Sequence, residues 1–183
     1  MLDKLSIGIV NTDLCNIKSV YYAFKLFTKK ITIINEDFEE TFYDILVVPG
    51  VGNFSAVMKN LKKKNILNSL IKYLYKGKPS IFICVGLQIL FEESEEEGKE
   101  KGLGIFRGKV KKIPRAFENQ ILKVPFVGWN KVNFVEERNK KIENLFYFTH
   151  SYYADPQDKK IVHSTANYNG FDYCTSIKYN KIQ

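Results

Sequence analysis

Ser80-Ile81-Phe82-Ile83-Cys84-Val85-Gly86-Leu87-Gln88 is the stretch on which the fold turns. A short apolar run suited to a buried strand ends at a cysteine. Leu87, Ile89, Leu90 and Phe91 then supply the apolar side chains of a helix that starts directly after it. A sharp strand-to-helix bend of this kind exposes a nucleophile at the carboxyl end of a strand. Unpaired N–H groups at the helix start favour a thiolate there. The Val85 amide can donate to an oxyanion, and Gly86 leaves the bend room to pack. Taken alone, a cysteine at a strand end is more often a core residue than a nucleophile.

Outward from this bend, the first half of the chain alternates strand and helix patterns. Leu5–Val10, Ile31–Ile34, Ile45–Val48 and Ser80–Ile83 read as strands. Ile17, Val20, Tyr21, Phe24 and Phe27 recur at helical spacing, as do Ile66, Leu67, Leu70, Ile71 and Leu74. The second helix is expected to stop near Lys76–Pro79, where Gly77 suits a cap and Pro79 cannot continue. Such alternation implies an α/β fold with a mainly parallel sheet covered by helices on both faces. After Glu100 the segments Lys109–Ile113, Asn130–Val135, Leu145–Phe148, Ile161–Ala166 and Phe171–Ile177 are β-prone. Turn signals at Asn139–Lys141 and Asn169–Gly170 separate some of them. They are expected to be antiparallel additions at one edge of the sheet. No linker divides the halves, so residues 1–183 are expected to form one domain. The aromatic run Phe146–Phe148 is expected to be core strand, and the acidic stretch Glu92–Glu97 a solvated helix end running into Gly98.

Composition narrows the function classes. Hydrophobic residues make up 45% of the 183 and no long apolar run occurs, so a membrane span is not expected. The apolar stretch Leu5–Val10 is too short for a secretory leader, which predicts a cytoplasmic protein. Cys15, Cys84 and Cys174 are widely spaced and show no metal-ligand spacing, so neither a disulfide framework, a metal nor a cofactor is expected. The net charge of +8 comes mainly from scattered lysines such as Lys62–Lys64 and Lys109–Lys112. With no nucleic-acid motif beside them, they read as a solvated surface.

A second motif changes the weight given to Cys84. Ile45-Leu46-Val47-Val48-Pro49-Gly50-Val51-Gly52-Asn53 is a strand ending in two glycines that can turn backbone amides toward a developing negative charge. With the cysteine bend on a neighbouring strand, it resembles the oxyanion strand of class I glutamine amidotransferases. The resemblance sharpens toward the glutaminase subunits of imidazole-glycerol-phosphate synthases. It is carried by Pro49-Gly50-Val51-Gly52, Cys84-Val85-Gly86-Leu87-Gln88, Leu90-Phe91-Glu92-Glu93-Ser94-Glu95-Glu96 and Gly102-Leu103-Gly104. Val124-Pro125-Phe126-Val127-Gly128-Trp129-Asn130, Phe146-Tyr147-Phe148-Thr149-His150-Ser151-Tyr152-Tyr153 and Asn16-Ile17-Lys18-Ser19-Val20 extend it from about Ile7 to the end of the chain.

That resemblance implies roles. Cys84 would attack the side-chain amide of glutamine and form a thioester, releasing ammonia. Val51 or Gly52, with Val85, would supply the oxyanion donors. Gly50, Gln88, His150, Ser151 and Tyr152 would hold the glutamine, with Glu96 a further candidate. Asn16, Trp129 and Asn130 would lie toward a cyclase subunit, a (β/α)8 barrel that takes the ammonia in histidine biosynthesis, forming a heterodimer. The family's acid–base histidine and its glutamate stand in a Gln-Phe-His-Pro-Glu segment that residues 1–183 do not contain. The last strand and helix are therefore expected to be missing from this sequence, or the subunit to be an inactive relative. A glutaminase serving another synthase, such as one building surface sugars, is the other reading. Phe82 and Phe126 depart from the glycine and histidine usual at those positions, and Phe82 is expected to crowd the bend.

Overall fold

β-branched residues and the nearly continuous burial of its central strands set the first sheet. The computed structural model describes residues 4–97, 100–135 and 144–183, so the turn expected at Asn139–Lys141 lies outside them. β1 (Ile7–Val10), β2 (Ile31–Ile34), β3 (Ile45–Gly50) and β4 (Ser80–Cys84) pair in the order β2-β1-β3-β4, all parallel. Both faces are covered, as the strand–helix alternation requires. On one face Ile7, Ile9 and Val47 pack under α1 (Ile17–Lys25) through Ile17, Val20, Tyr21 and Phe24. On the other, Val10, Leu46, Val48 and Phe82 meet α2 (Phe54–Lys63) and α3 (Ile66–Tyr75). Gly77 ends α3 with φ +64, and its N–H reaches the Leu74 carbonyl, the cap read from the sequence.

α2 was not foreseen, although its pattern is plain once α2 is placed. Phe54, Val57, Met58 and Leu61 recur at i, i+3, i+4 and i+7, all buried, and Asn53 caps the start by accepting from the Ala56 N–H. Lys62 and Lys63 lie in its last turn, where cations suit the helix C-terminus. The helix after the nucleophile is also shorter than expected. α4 covers only Val85–Gln88, and Ile89, Leu90 and Phe91 are buried in the turn beyond it.

The later strands build their own sheets instead of extending the parallel one. β5 (Glu93–Ser94), β6 (Gly108–Lys112) and β11 (Tyr152–Pro156) form one sheet in the order β11-β6-β5. β7 (Ala116–Phe117) and β8 (Gln120–Ile121) make a small hairpin. β9 (Phe126–Phe134), β10 (Leu145–His150), β12 (Val162–Tyr168) and β13 (Phe171–Ile177) form an antiparallel sheet ordered β10-β9-β12-β13. The turn at Asn169–Gly170, with φ 50 and 90, joins β12 to β13 as its sequence predicts. β10 is the edge strand, which overturns the expectation for Phe146–Phe148. Phe146 and Tyr147 are 45% and 57% exposed.

The acidic stretch is largely exposed, as expected, but holds a short strand instead of a helix end. Glu92 accepts from the Gly108 N–H, Glu93 pairs with Lys109 at 2.5 Å, and Glu95 accepts from the Lys112 N–H. These carboxylates fasten β5 to β6. Lys111 pairs with Asp155 at 2.8 Å, so part of the lysine charge is spent within the fold. Among the described residues no helix is long and apolar enough to cross a membrane, and no cluster of three potential metal ligands occurs.

Candidate active site

Cys84 stands at the last position of β4 with φ 58 and ψ −116, a conformation that costs a non-glycine residue of order 1–3 kcal/mol. The chain turns there directly into α4, and the residue is exposed. Phe82 does not crowd the bend. Its ring points into the core on the α2/α3 face and is 6% exposed.

The neighbouring strand is fitted to this bend. Gly50 is the register partner of Cys84, so the Pro49–Gly52 turn and the cysteine lie side by side. A Cβ on Gly50 would sit 3.0 Å from the Gly86 nitrogen and 3.2 Å from the Val85 Cβ. A Cβ on Gly86 would come within 1.9 Å of the Val48 carbonyl oxygen. Both glycines are needed for β3 and α4 to approach this closely. Gly52 is different: its φ of +84 accounts for it, and nothing lies within 4 Å of a Cβ there.

Although Cys84 reaches solvent, the protein packed around it desolvates the thiol and pushes it above its ordinary pKa, and a hydrogen bond from the Val85 amide works against that rise. Of the effects expected at the helix start, the Val85 N–H is present, and desolvation outweighs it. The Val85 N–H faces the sulfur, where an oxyanion donor belongs. The Val51 N–H does not. It donates to the Leu14 carbonyl at 2.7 Å, so in this arrangement it is engaged by the loop after β1. That loop is itself held from behind. The Lys64 ammonium donates to the Asn11 carbonyl at 2.9 Å, the Asn60 amide to the Thr12 carbonyl at 3.0 Å, and the Thr12 hydroxyl to the Pro49 carbonyl at 3.2 Å.

Four of the residues assigned to glutamine come together on the other side. Gln88 ends α4, and its side-chain amide donates to the Tyr152 carbonyl at 3.3 Å. His150 Nδ1 lies 3.0 Å from the same oxygen, with Ser151 forming the bend between β10 and β11. Burial lowers the His150 pKa, with the bond to Tyr152 opposing. Glu96 sits at the start of α2, accepting from the Phe54 N–H at 2.6 Å, which puts one carboxylate beside the Gly52–Asn53 turn.

The residues assigned to a partner surface divide. Trp129 is 69% exposed and stacks edge-on against Tyr147 at 5.6 Å. Asn130 points to the opposite side of β9, where its amide donates to the Asn167 carbonyl at 2.9 Å. Asn16 caps α1 by accepting from the Ser19 N–H and remains exposed. Phe126 fills its non-consensus position by packing on Tyr168, with ring centroids 4.5 Å apart.

Comparison with known proteins bears on the family and the fold. The CobB/CobQ-like glutamine amidotransferase domain matches residues 12–172. A relative named imidazole glycerol phosphate synthase subunit HisH, from Prochlorococcus marinus, is 36% identical over 97% of this chain and 83% of its own length. The protein of the same name from Pyrococcus furiosus is 38% identical over 96% of this chain and 86% of its own. A solved glutamine amidotransferase superposes with a TM-score of 0.70 at 13% identity, covering 96% of this chain and 86% of that one, which shows a shared fold.

Proposed function

We propose, from the premise that the chain belongs to the HisH family of glutamine amidotransferase subunits, that it is the glutaminase subunit of an imidazole-glycerol-phosphate synthase. The relatives' common name favours that synthase over one that builds surface sugars. The observation that carries the chemistry is the register pairing of Gly50 with a strained, exposed Cys84. In this reading the Cys84 thiolate adds to the side-chain carbonyl carbon of glutamine. The tetrahedral oxyanion takes the Val85 amide and a donor from the Val51–Gly52 turn. The C–N bond breaks as a proton reaches the nitrogen, ammonia leaves, and water hydrolyses the thioester to glutamate.

A thiol held above its ordinary pKa is mostly protonated near pH 7, so the reaction needs a base. His150 is not that base, because its remaining nitrogen, Nε2, is buried without a partner among the rings of Phe126, Phe148 and Tyr173. Lys181–Gln183 runs parallel to β4, with the Phe82 N–H donating to the Gln183 carbonyl at 2.7 Å and Ile182 paired beside Ser80. A histidine held on that side of β4 beside Cys84 would serve as the base. Ammonia would pass to a cyclase subunit with a (β/α)8 barrel, in a cytoplasmic heterodimer whose contact surface includes Asn16 and Trp129.

The test is glutamine hydrolysis by the full-length chain, alone and with the cyclase subunit. Cys84→Ser is expected to lose about a thousandfold or more in kcat. If that variant keeps activity within a few-fold of its parent, the nucleophile is elsewhere and the reading fails.

A further inference from the structure

β10 is an open edge that lacks the protection edge strands normally carry. Shortness, lysine, proline or a bulge keeps such strands from pairing with another chain. β2, an outer strand of the parallel sheet, is four residues long and bracketed by Lys29–Lys30 and Glu36–Asp37. β10 has six residues, none of them lysine, proline or an acid, and it follows β9 without a register shift. Among the described residues no second strand pairs with it. The hydrogen-bond phase shows which of its groups are free. The Val132 N–H donates to the Asn144 carbonyl at 2.7 Å, one step along from the Leu145–Lys131 register pair. Inward and outward groups alternate along an antiparallel strand. The N–H and C=O groups of Phe146, Phe148 and His150 therefore face β9, and those of Leu145, Tyr147 and Thr149 face away from it.

We infer that the chain, when it stands without a partner subunit, pairs with a second copy of itself through β10, antiparallel about a two-fold axis at Tyr147. The free edge is self-complementary about that residue. Tyr147 meets the second copy's Tyr147, and Leu145 meets its Thr149, so every outward N–H finds an outward C=O. Side chains agree with this register on both faces. On one face Trp129, which packs against Tyr147 at 5.6 Å, extends the two tyrosines into a continuous aromatic stripe across the joined sheets. On the other, the exposed Phe146 meets the second copy's Phe148, and cross-strand aromatic pairs of this kind stabilise a sheet. The nearest like charge is Lys131, beside Leu145, and each chain carries a net +8, so salt should tighten the pairing. Because the stripe includes Trp129, which the proposed heterodimer also uses, the pairing belongs to the subunit without its cyclase.

The experiment is sedimentation of the full-length chain without the cyclase, over a range of concentrations and at low and high salt. A dimer with Kd on the order of 10 µM is expected, as suits a small interface, and Kd is expected to fall about threefold at high salt. Tyr147→Lys sets two cations against each other on the axis and is expected to raise Kd by about thirtyfold or more. Thr149→Pro removes one outward N–H while sparing the bonds to β9, and is expected to raise Kd about tenfold. Amide exchange of the unmutated chain gives an answer that needs no variant. The amides of Leu145, Tyr147 and Thr149 are expected to slow about fivefold or more as the chain is concentrated, and those of Phe146 and Phe148, already bonded to β9, to change less. A chain that stays monomeric at about 300 µM overturns the inference. So does a dimer of undiminished strength in Tyr147→Lys, or slowed exchange that spares those outward amides.

Discussion

Replacing Gly86 by alanine tests whether the contact between β3 and α4 is what assembles the site. The added methyl would lie 1.9 Å from the Val48 carbonyl oxygen and 3.0 Å from its carbon, both backbone atoms that cannot rotate away. An ordinary C···O contact needs about 3.3 Å, so α4 and β3 must separate by about 1.4 Å. Overpacking of this size costs about 1–3 kcal/mol. For a chain of this length each kcal/mol lowers Tm by about 2–4 °C, a total fall of about 2–12 °C. The chemical effect is expected to be larger. Gly50 rests on the Gly86 nitrogen, so the separation moves the oxyanion turn relative to Cys84, and a misplacement near 1 Å costs about a hundredfold. A glutamine-shaped diazoketone, which needs the assembled pocket, and iodoacetamide, which needs only the thiol, separate the two effects. Alkylation of Cys84 by the first is expected to slow about a hundredfold in Gly86→Ala, and by the second only a few-fold. Gly52→Ala is the control, because its penalty comes from φ +84 alone and nothing is displaced. If Gly86→Ala reacts with the diazoketone as fast as its parent, the close approach of the two strands is not what builds the site.

Two further outcomes follow from charges and exposure. Burial opposes ionisation of Asp155, but the Lys111 and Lys159 ammonium groups outweigh it and leave its pKa below the ordinary carboxylate value. Its stabilisation is therefore fully present above the unfolded value of about 3.9 and is lost as pH falls through the lower folded value. Asp155→Asn is expected to flatten the acid limb of a Tm-against-pH curve below about pH 4, with an effect at pH 7 of at most about 1 kcal/mol; an unchanged acid limb refutes it. Trp129 is the single tryptophan of the chain and 69% exposed, so its emission is expected to shift to the blue when the cyclase subunit binds. Trp129→Ala is expected to weaken that binding about 10- to 30-fold while leaving the isolated chain's stability within about 0.5 kcal/mol, and undiminished affinity removes Trp129 from the interface.

Much of the parallel half was legible because period and punctuation agree there. Ile and Val runs, an apolar stripe at i, i+3 and i+4, and Gly77 after α3 each point to one structure. The pairing of the Gly50 turn with Cys84 was legible for the same reason, since both lie at the ends of strands and adjacent parallel strands bring such ends together. The antiparallel half was harder. A period of two marks Phe146 and Phe148 as one face of a strand, but nothing local says that β10 lies at an edge with its neighbours exposed. The same blindness applies to the hydrogen bonds of single amides and rings. The sequence places Val51 and His150 in the site, yet whether their N–H groups face a substrate or the protein depends on loops far away in the chain.

That dependence has a mechanical reading. The turn at Pro49–Gly52 continues into Asn53, which caps α2, and α2 runs to Lys64, which grips the Asn11 carbonyl. The loop from Asn11 to Leu14 returns to the turn through the Thr12 hydroxyl and the Leu14 carbonyl. The oxyanion turn, α2 and the β1–α1 loop therefore close a ring of hydrogen bonds around one exposed residue, Val51. With its N–H held by Leu14, Val51 gives the sulfur no donor in this arrangement, where the Val85 N–H supplies one. Releasing the Val51 N–H would require that turn to move, and a Cβ at Gly52, at φ +84, would have nothing within 4 Å. The exposed N-cap Asn16 starts α1 two residues beyond Leu14, so a partner docked on Asn16, as proposed, would bear on the same loop that holds Val51.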